Sequence, residues 1–371
     1  MAEGWILNTD SSMSEPAIIR MQDVAERAGV GRTTVSLALR NHPKISEPTR
    51  RRIRKLAEEM GYRPNPLVAA HMAHIRALHP KSTSQCLAFL CNRSMAEIQA
   101  DTKTPVWKYF QGARDRAAEL GFRLELFNLN EPQMTERRLS HNLVARGIDG
   151  VIIGPLTEGG GLVDKEFDWT PFASVMIEHT FFEPRLHKVC SDEFSTIGRL
   201  IQRLLDYGYK RIGVAMRSRM DEHANHHWLA GYQTFQALTQ RDLRIPHFIT
   251  PEWNRLKFMH WFSHHRPEAI ITVDDDVVRW MRAASIRIPE DVGCATVYWK
   301  ADRGYLSGYY QNHEMIGAAA VETVAAQLHR NDRGLPEIDK TVLIQALWKE
   351  GATLCRHTSA DIQADLRVWK R

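Results

Sequence analysis

The side chains best equipped for chemistry in this chain fall into a few local groups. Asp274, Asp275 and Asp276 stand in a row behind the apolar run Ala269–Val273. Such carboxylates can hold Mg²⁺, but at a strand-to-helix turn they more often serve as N-caps. His223, His226 and His227 lie beside Asp221 and Glu222, and His264 and His265 form a pair. A metal needs convergent ligands and usually a fourth donor, and this spacing matches no ligating motif. Glu158-Gly159-Gly160-Gly161 lacks the spacing and following helix of a phosphate-binding loop. Neither a G-x-S-x-G nor an H-E-x-x-H motif occurs, and no Cys/His nucleophile arrangement can be assembled. The chain is therefore expected to be no enzyme and to need no cofactor and no metal. The remaining group is basic. Arg50, Arg51, Arg52, Arg54 and Lys55 share one short segment, and their charge and reach suit phosphate oxygens.

That segment belongs to a basic stretch. From Arg20 to Arg76 there are 12 Lys/Arg against 5 Asp/Glu, so the net +5 of the whole chain leaves the remainder slightly acidic. A small basic unit joined to a larger, mildly acidic body fits a reader of a polyanion attached to a second function. With 371 residues, 43% apolar and 25% charged, the chain has room for more than one domain of ordinary globular composition. Its five cysteines (Cys86, Cys91, Cys190, Cys294 and Cys355) are scattered without CxxC spacing, which fits a reducing compartment better than a disulfide framework. The N-terminus carries neither a basic n-region nor a long apolar stretch, and no run approaches the length of a membrane span. A cytoplasmic protein is expected.

The elements that position the basic residues can be read from spacing. Val24, Ala25 and Ala28 form one helical face, Gly29-Val30-Gly31 interrupts it, and Val35, Ala38 and Leu39 form a second. Two short helices across a glycine turn make a helix-turn-helix. A third helix is expected from Ser46, with Pro48 in its first turn, Ile53, Leu56, Ala57 and Met60 facing inward, and Gly61 and Pro64 ending it.

The string Met21–Val30, then Thr34-Val35-Ser36, Ile45-Ser46 and Gly61-Tyr62-Arg63-Pro64-Asn65, resembles the headpiece of the lactose/galactose repressor (LacI/GalR) family. The resemblance implies that the second helix enters the major groove of double-stranded DNA. Arg32, Thr33 and Leu37 would then read bases, Arg32 on guanine and Leu37 on a thymine methyl. Thr34, Ser36, Ser46 and Thr49 would meet phosphates, joined by Lys44, with Asn65 closing the DNA-facing set. The pattern departs from the family at Arg20, where relatives carry a capping Ser or Thr. It departs again in Pro66–His74, where a hinge helix usually inserts a leucine into the minor groove. His71 occupies the wedge position here, so the expectation divides between His71, neighbouring Met72, and little insertion at all.

From Cys86 onward apolar runs alternate with amphipathic stretches: strands near 86–90, 123–129, 150–153, 174–177, 211–216, 269–273 and 293–297, with helices between several of them. This predicts an α/β fold of parallel sheets with helices on both faces, too long for one sheet and so divided into two lobes. The strings Arg146–Gly150, Ser191-Asp192, Gly208–Gly213, Ile288–Val292 and Ile316–Ala320 are similar to the family's periplasmic-binding-protein-like sensor domain. The expected organisation is an extension at 1–17, the headpiece at 18–64 and a hinge and linker at 65–83. An effector-binding and dimerisation domain follows at 84–357, then a tail at 358–371. Lobe one would hold 84–178 and 309–338, and lobe two 179–308 and 339–357.

The resemblance places an effector between the lobes, yet the family's usual ligand-binding Arg is matched by Trp228 and a usual Asp by Tyr298. Trp107, Glu178, Trp228, Asp275 and Tyr298 remain as candidates, since aromatic faces stack on sugar C–H surfaces and carboxylates accept from hydroxyls. The reading is a sequence-specific transcription regulator, a repressor by default, acting as a homodimer on a palindromic operator under a small molecule, expected to be a sugar. The alternative is a carbohydrate-binding protein without a DNA role. That alternative predicts a signal sequence and no basic headpiece.

Overall fold

A computed structural model describes residues 19, 21–39, 45–62, 85–132, 134–156, 166–179 and 183–356, and its contacts divide the chain into a small N-terminal body and a large one. The expected extension, hinge and tail lie outside the described residues. In the small body, α1 (Met21–Ala28), α2 (Arg32–Leu39) and α3 (Glu47–Glu59) close a core of Val24, Ala25, Ala28, Val35, Ala38, Ile53 and Ala57. Gly29 makes the turn. At φ +67° it lets its own N–H donate to Glu26 O (3.2 Å) and the Val30 N–H to Ala25 O (3.1 Å), so α1 stops and α2 starts three residues later. A β-carbon in that conformation would be strained.

The large body carries two six-stranded sheets. The first has the order β11-β5-β4-β3-β1-β2, from β1 (Cys86–Cys91), β2 (Arg123–Asn128), β3 (Gly150–Ile153), β4 (Ala173–Ile177), β5 (His187–Ser191) and β11 (Thr341–Ile344). The second has the order β12-β10-β9-β8-β6-β7, from β6 (Ile212–Arg217), β7 (Phe248–Thr250), β8 (Ala269–Thr272), β9 (Gly293–Thr296), β10 (Ser307–Tyr310) and β12 (Leu347–Lys349). All pairings are parallel except β10 with β12. The central strands β1, β3, β4, β8 and β9 are buried along their length because both faces there are covered, whereas the outer strands β2, β11 and β12 are partly exposed. In β1, Leu87, Phe89 and Cys91 feed one core while Cys86, Ala88 and Leu90 feed the other. Helices α5 (Pro105–Glu119) and α12 (His313–Arg330) cover the first face, and α6 (Glu136–Ala145) the second. In the second lobe α7 (Glu193–Asp206) and α9 (His227–Leu238) cover one face, α10 (Arg255–His265) and α11 (Asp276–Ala283) the other. Two shorter helices, α4 (Met95–Ala100) and α8 (Ser218–His223), complete the α-helices among the described residues.

The chain passes between the lobes three times: from β5 to α7 at Asp192, from β10 to α12 at Gln311-Asn312, and from β11 to β12 at Gln345-Ala346. The sequence-based boundaries at 178/179, 308/309 and 338/339 shift accordingly. β5 and β11 complete the first sheet, because Val175–Ile177 needs the hydrogen bonds of His187–Val189, and Lys188–Ser191 those of Thr341–Ile344. β10 stays in the second lobe beside β9.

In the first lobe α5 and α12 meet backbone to backbone. A β-carbon on Gly317 would overlap the Tyr109 carbonyl, and one on Gly112 the backbone of Glu314. Gly317→Ala is expected to destabilise the large body by about 1–3 kcal/mol or more, as overpacking does. Urea unfolding checks this; a midpoint equal to the wild type contradicts the close approach.

Candidate functional site

The small body presents α2 outward. Val35 and Ala38 turn into the core, while Arg32 is exposed and Thr34, Ser36 and Leu37 are half-buried. The exposed guanidinium at the first turn of α2 has no hydrogen-bond partner among the described residues. The side chain of Thr33, and the whole of Lys44, Asn65, His71 and Met72, lie outside the described residues. At α3, Ser46 holds the N-cap backbone position, but its hydroxyl makes no cap bond and pairs with the Thr49 hydroxyl at 2.8 Å. Two hydroxyls sharing one hydrogen leave one O–H free to donate, the geometry a phosphate oxygen needs. The expected basic face of α3 is partly spent. Arg50 and Arg51 pair with Glu47 at 2.6 and 2.9 Å, and Arg52 donates to Ala28 O at 3.2 Å, tying α3 to the end of α1.

In the large body the chain crossings assemble a second site. Glu178 follows β4 in the left-handed region (φ 58°), which costs a non-glycine residue about 1–2 kcal/mol. Its carboxylate accepts from the Tyr109 hydroxyl at 2.9 Å and from the Ser191 N–H at 3.3 Å. Two residues past Ser191, Glu193 opens α7. It accepts from Trp228 Nε1 at 2.6 Å, and Gln311 Nε2 reaches its two oxygens at 3.0 and 2.9 Å. Gln311 Nε2 also lies 2.8 Å from Val297 O, so one amide ties β9, the first crossing and the second. His313 is 2% exposed and surrounded edge-on by Tyr109, Tyr310 and Tyr298, at centroid distances of 4.9, 5.2 and 5.7 Å. Among the described residues neither of its ring nitrogens has a hydrogen-bond partner.

The electrostatics are unusual for neutral pH. Glu178 keeps some exposed surface as a residue, but loss of water around its carboxyl pushes its pKa up to about 7, against the opposing bonds from Tyr109 and Ser191. Burial, then repulsion from Glu178, pushes Glu193 up to about 8. His313 is driven down to about 3 by burial and then by Lys108 and Lys300. Those two lysines stand against the rings of Tyr310 and Tyr298, at 4.4 and 5.2 Å.

Of the residues singled out from sequence, Glu178, Trp228 and Tyr298 come together in this network. Trp107 lies in the first turn of α5 and packs on Phe110. Asp275 stands at the N-cap position of α11 without a side-chain cap bond. Its oxygens face Arg303 at 3.7 Å and Arg279 at 3.9 Å. Its neighbours are held likewise: Arg217 reaches Asp276 at 2.6 Å and Asp274 at 3.4 Å. Burial favours protonation of Asp276, but bonds from Trp253 and Arg217 outweigh it and keep its pKa below the usual range. The histidine group is built into the fold. His226 meets Asp221 at 2.9 Å, and Asp221 in turn accepts from the Leu229 N–H. Among the described residues no group of three or more such side chains is arranged to hold a metal, and no helix is long and apolar enough to cross a membrane. Tyr109, Glu193, Gln311 and His313 were not singled out. The available signal was position: each of the last three is a polar residue within three positions of a strand's end.

A helix-turn-helix body followed by two parallel-sheet lobes with a buried polar site at their crossings defines a DNA-binding regulator with a ligand-sensing module. Residues 20–65 match the model of the bacterial regulatory proteins, lacI family, and residues 201–353 that of the periplasmic binding protein-like domain. The chain is thus similar to LacI-family transcription regulators in its helix-turn-helix segment and, mostly in its second lobe, to periplasmic-binding-protein-like domains. It is 22% identical over 324 residues to the HTH-type transcriptional regulator YkvZ of Bacillus subtilis (strain 168), spanning 83% of this chain and 88% of that one. It is 26% identical to the catabolite control protein A of Priestia megaterium, spanning 61% of this chain and 63% of that one. Among solved structures, a complex of the transcriptional regulator CelR with cellobiose shares the fold at a TM-score of 0.53 and 18% identity, covering 90% of this chain and 99% of that one. The relatives are regulators, not enzymes.

The two carboxyls make stability depend on pH. Raised above the ordinary 4.5, they hold protons in the folded state that the unfolded chain releases, so their contribution is full below about pH 4.5 and is lost as pH rises through 7 to 8. His313, depressed from 6.5, contributes fully above pH 6.5 and loses that contribution only as pH falls towards 3. Between pH 6.5 and about 8 the carboxyls dominate this site, and the melting temperature is expected to fall across that window. Glu193→Gln, which cannot titrate, should flatten the fall. An unchanged slope in that variant contradicts the assignment.

Proposed function

We propose that this regulator acts as a homodimeric, sequence-specific repressor on a palindromic operator, controlled by a small polar molecule of carbohydrate type held between its lobes. The observation that carries the DNA half is α2, whose core-facing Val35 and Ala38 leave Arg32 exposed at the first turn with Leu37 one turn further along. Arg32, Thr33 and Leu37 read base edges, Arg32 by forking onto guanine O6 and N7. Thr34, Ser36, Ser46 and Thr49, with Lys44, position the helix on phosphates. Asn65 completes the DNA-facing set, and the hinge meets the operator centre through His71 or neighbouring Met72, or with little insertion at all. Dimerisation sets two recognition helices on half-sites about one helical turn apart or somewhat more.

The sensing half rests on the polar network at the crossings, where Glu178, Trp228 and Tyr298 supply acceptors and aromatic faces, with Trp107 and Asp275 as further contacts. CelR, whose fold this chain shares, was solved with cellobiose, which supports a carbohydrate-type effector here. Ligand held between the lobes changes DNA affinity by its differential affinity for the two lobe arrangements.

Selection of random duplexes by the purified protein tests the DNA half. An inverted repeat is expected to emerge; salt-sensitive binding equal across all sequences contradicts the proposal. On the selected site Arg32→Ala is expected to cost about 1–3 kcal/mol and to relax one base position. An unchanged sequence preference removes Arg32 from the readers.

A further inference from the structure

The interlobe site holds two acidic side chains and no cation to balance them. Glu178 and Glu193 are both bonded only by neutral donors: Tyr109, Ser191, Trp228 and Gln311. Neither takes part in an ion pair among the described residues. Three lysines in the same region have other partners, two of them on rings that surround His313. Lys108 stands on the Tyr310 ring and 3.8 Å from Glu314, Lys300 stands on Tyr298, and Lys188 is bonded to Asp339 at 3.0 Å.

A second observation points the same way. His313 is buried among three tyrosines with both ring nitrogens unpartnered, so a neutral imidazole offers one lone pair and one N–H to whatever enters. Buried nitrogens of this kind carry a desolvation cost that a bound group would relieve. Tyr109 links the two features, since its hydroxyl is on Glu178 and its ring is against His313. Aromatic faces, a pair of carboxylates and an imidazole lone pair together are the surroundings that an organic ammonium group selects.

We propose that the interlobe site binds a small polar ligand carrying a protonated nitrogen, an amino sugar or comparable ammonium ion, with Glu178 and Glu193 as its counter-charges. This rests on the reading of that site as the effector site. A neutral polyol leaves the two carboxyls without a charge partner; an ammonium ion supplies one and turns their burial from a cost into selectivity. Binding is then linked to protons. The carboxyls that hold protons near neutral pH release them to accept the cation, so affinity rises with pH through the range in which Glu178 and Glu193 ionise. The other titratable groups that face the pair, Tyr109, Cys190 and Tyr298, are held neutral by burial, and His313 stays unprotonated.

Matched probes test this on the full-length protein: glucosamine against glucose, galactosamine against galactose, and putrescine against 1,4-butanediol. At least one amine is expected to raise the melting temperature while its neutral partner does not, and its affinity should rise from pH 6 to pH 8. Calorimetry at pH 7 in two buffers of different ionisation enthalpy should show protons released on binding. Glu193→Gln should weaken the amine tenfold or more. Should that variant fail to fold, the proton release of the wild type and Glu178→Gln decide. A panel in which neutral sugars bind as well as their amines, or binding without proton release, overturns the inference while leaving the effector site in place. If no probe of either kind shifts the protein, the inference and the carbohydrate-type effector fall together, and the operator selection alone stands.

Discussion

One buried carboxylate holds the sensing body together at its weakest point. The lobes are joined covalently only by three chain crossings, and Glu193, at the first of them, is bound by Gln311 from the second and by Trp228 from α9. Leaving a buried polar group without its hydrogen bond costs about 1–3 kcal/mol, and more once the carboxyl has lost its proton and is charged. Glu193 thereby ties the first crossing to the second, while the Asp192 N–H on Ile344 O (2.9 Å) and Arg199 on Gln345 (3.2 Å) tie the first to the third. Glu178 adds a second tie, from the end of β4 to the start of the first crossing. Any change in how these acids are satisfied is felt at the residues about which the lobes would turn.

That arrangement explains why the site is built from strand ends. The central strands are buried on both faces, so they leave little room for polar groups along their length. Function is left to residues that follow a strand, where the chain turns out of the sheet. Glu178 after β4, Glu193 after β5, Tyr298 after β9, and Gln311 and His313 after β10 are the cases in point. The left-handed backbone at Glu178 and Asn312 marks two of these exits, where the fold holds a conformation that non-glycine residues ordinarily avoid.

Much of this was legible in the sequence, and the limits have physical causes. Val24, Ala25, Ala28, Val35 and Ala38 announced the first two helices because a three-helix body has one core and a clean helical period. Cys86–Leu90 and Ala269–Val273 announced buried strands by their continuous apolar runs. β5 went unread because His187-Lys188 opens it with polar residues at a sheet position that is only half covered. α12 has apolar and small residues over most of its circumference, being buried between α5 and the sheet, so it shows little period. The polar site was the hardest. Glu178, Trp228 and Tyr298 were found by position against a family pattern, but Tyr109, Glu193, Gln311 and His313 are brought together from distant segments, and no local window contains the pairing that gives them meaning.

The two bodies therefore place different demands on their polar residues. On α2 and α3 the side chains work at the surface. Arg50 and Arg51 share Glu47 while Arg32 stands clear, which separates residues that hold the helix from one available to a partner. Exposed pairs such as those on α3 contribute little to stability and can exchange one partner for another at small cost. At the crossings the same kinds of groups are out of water, and each change of charge or partner is worth far more. A regulator needs this asymmetry. Its DNA-facing surface must make and break contacts readily, whereas its sensing site must convert a small chemical difference in what it holds into a preference between two arrangements of the lobes. Among the described residues neither Glu178 nor Glu193 has a charge partner of its own, so the state of the buried acid pair depends on the groups around it.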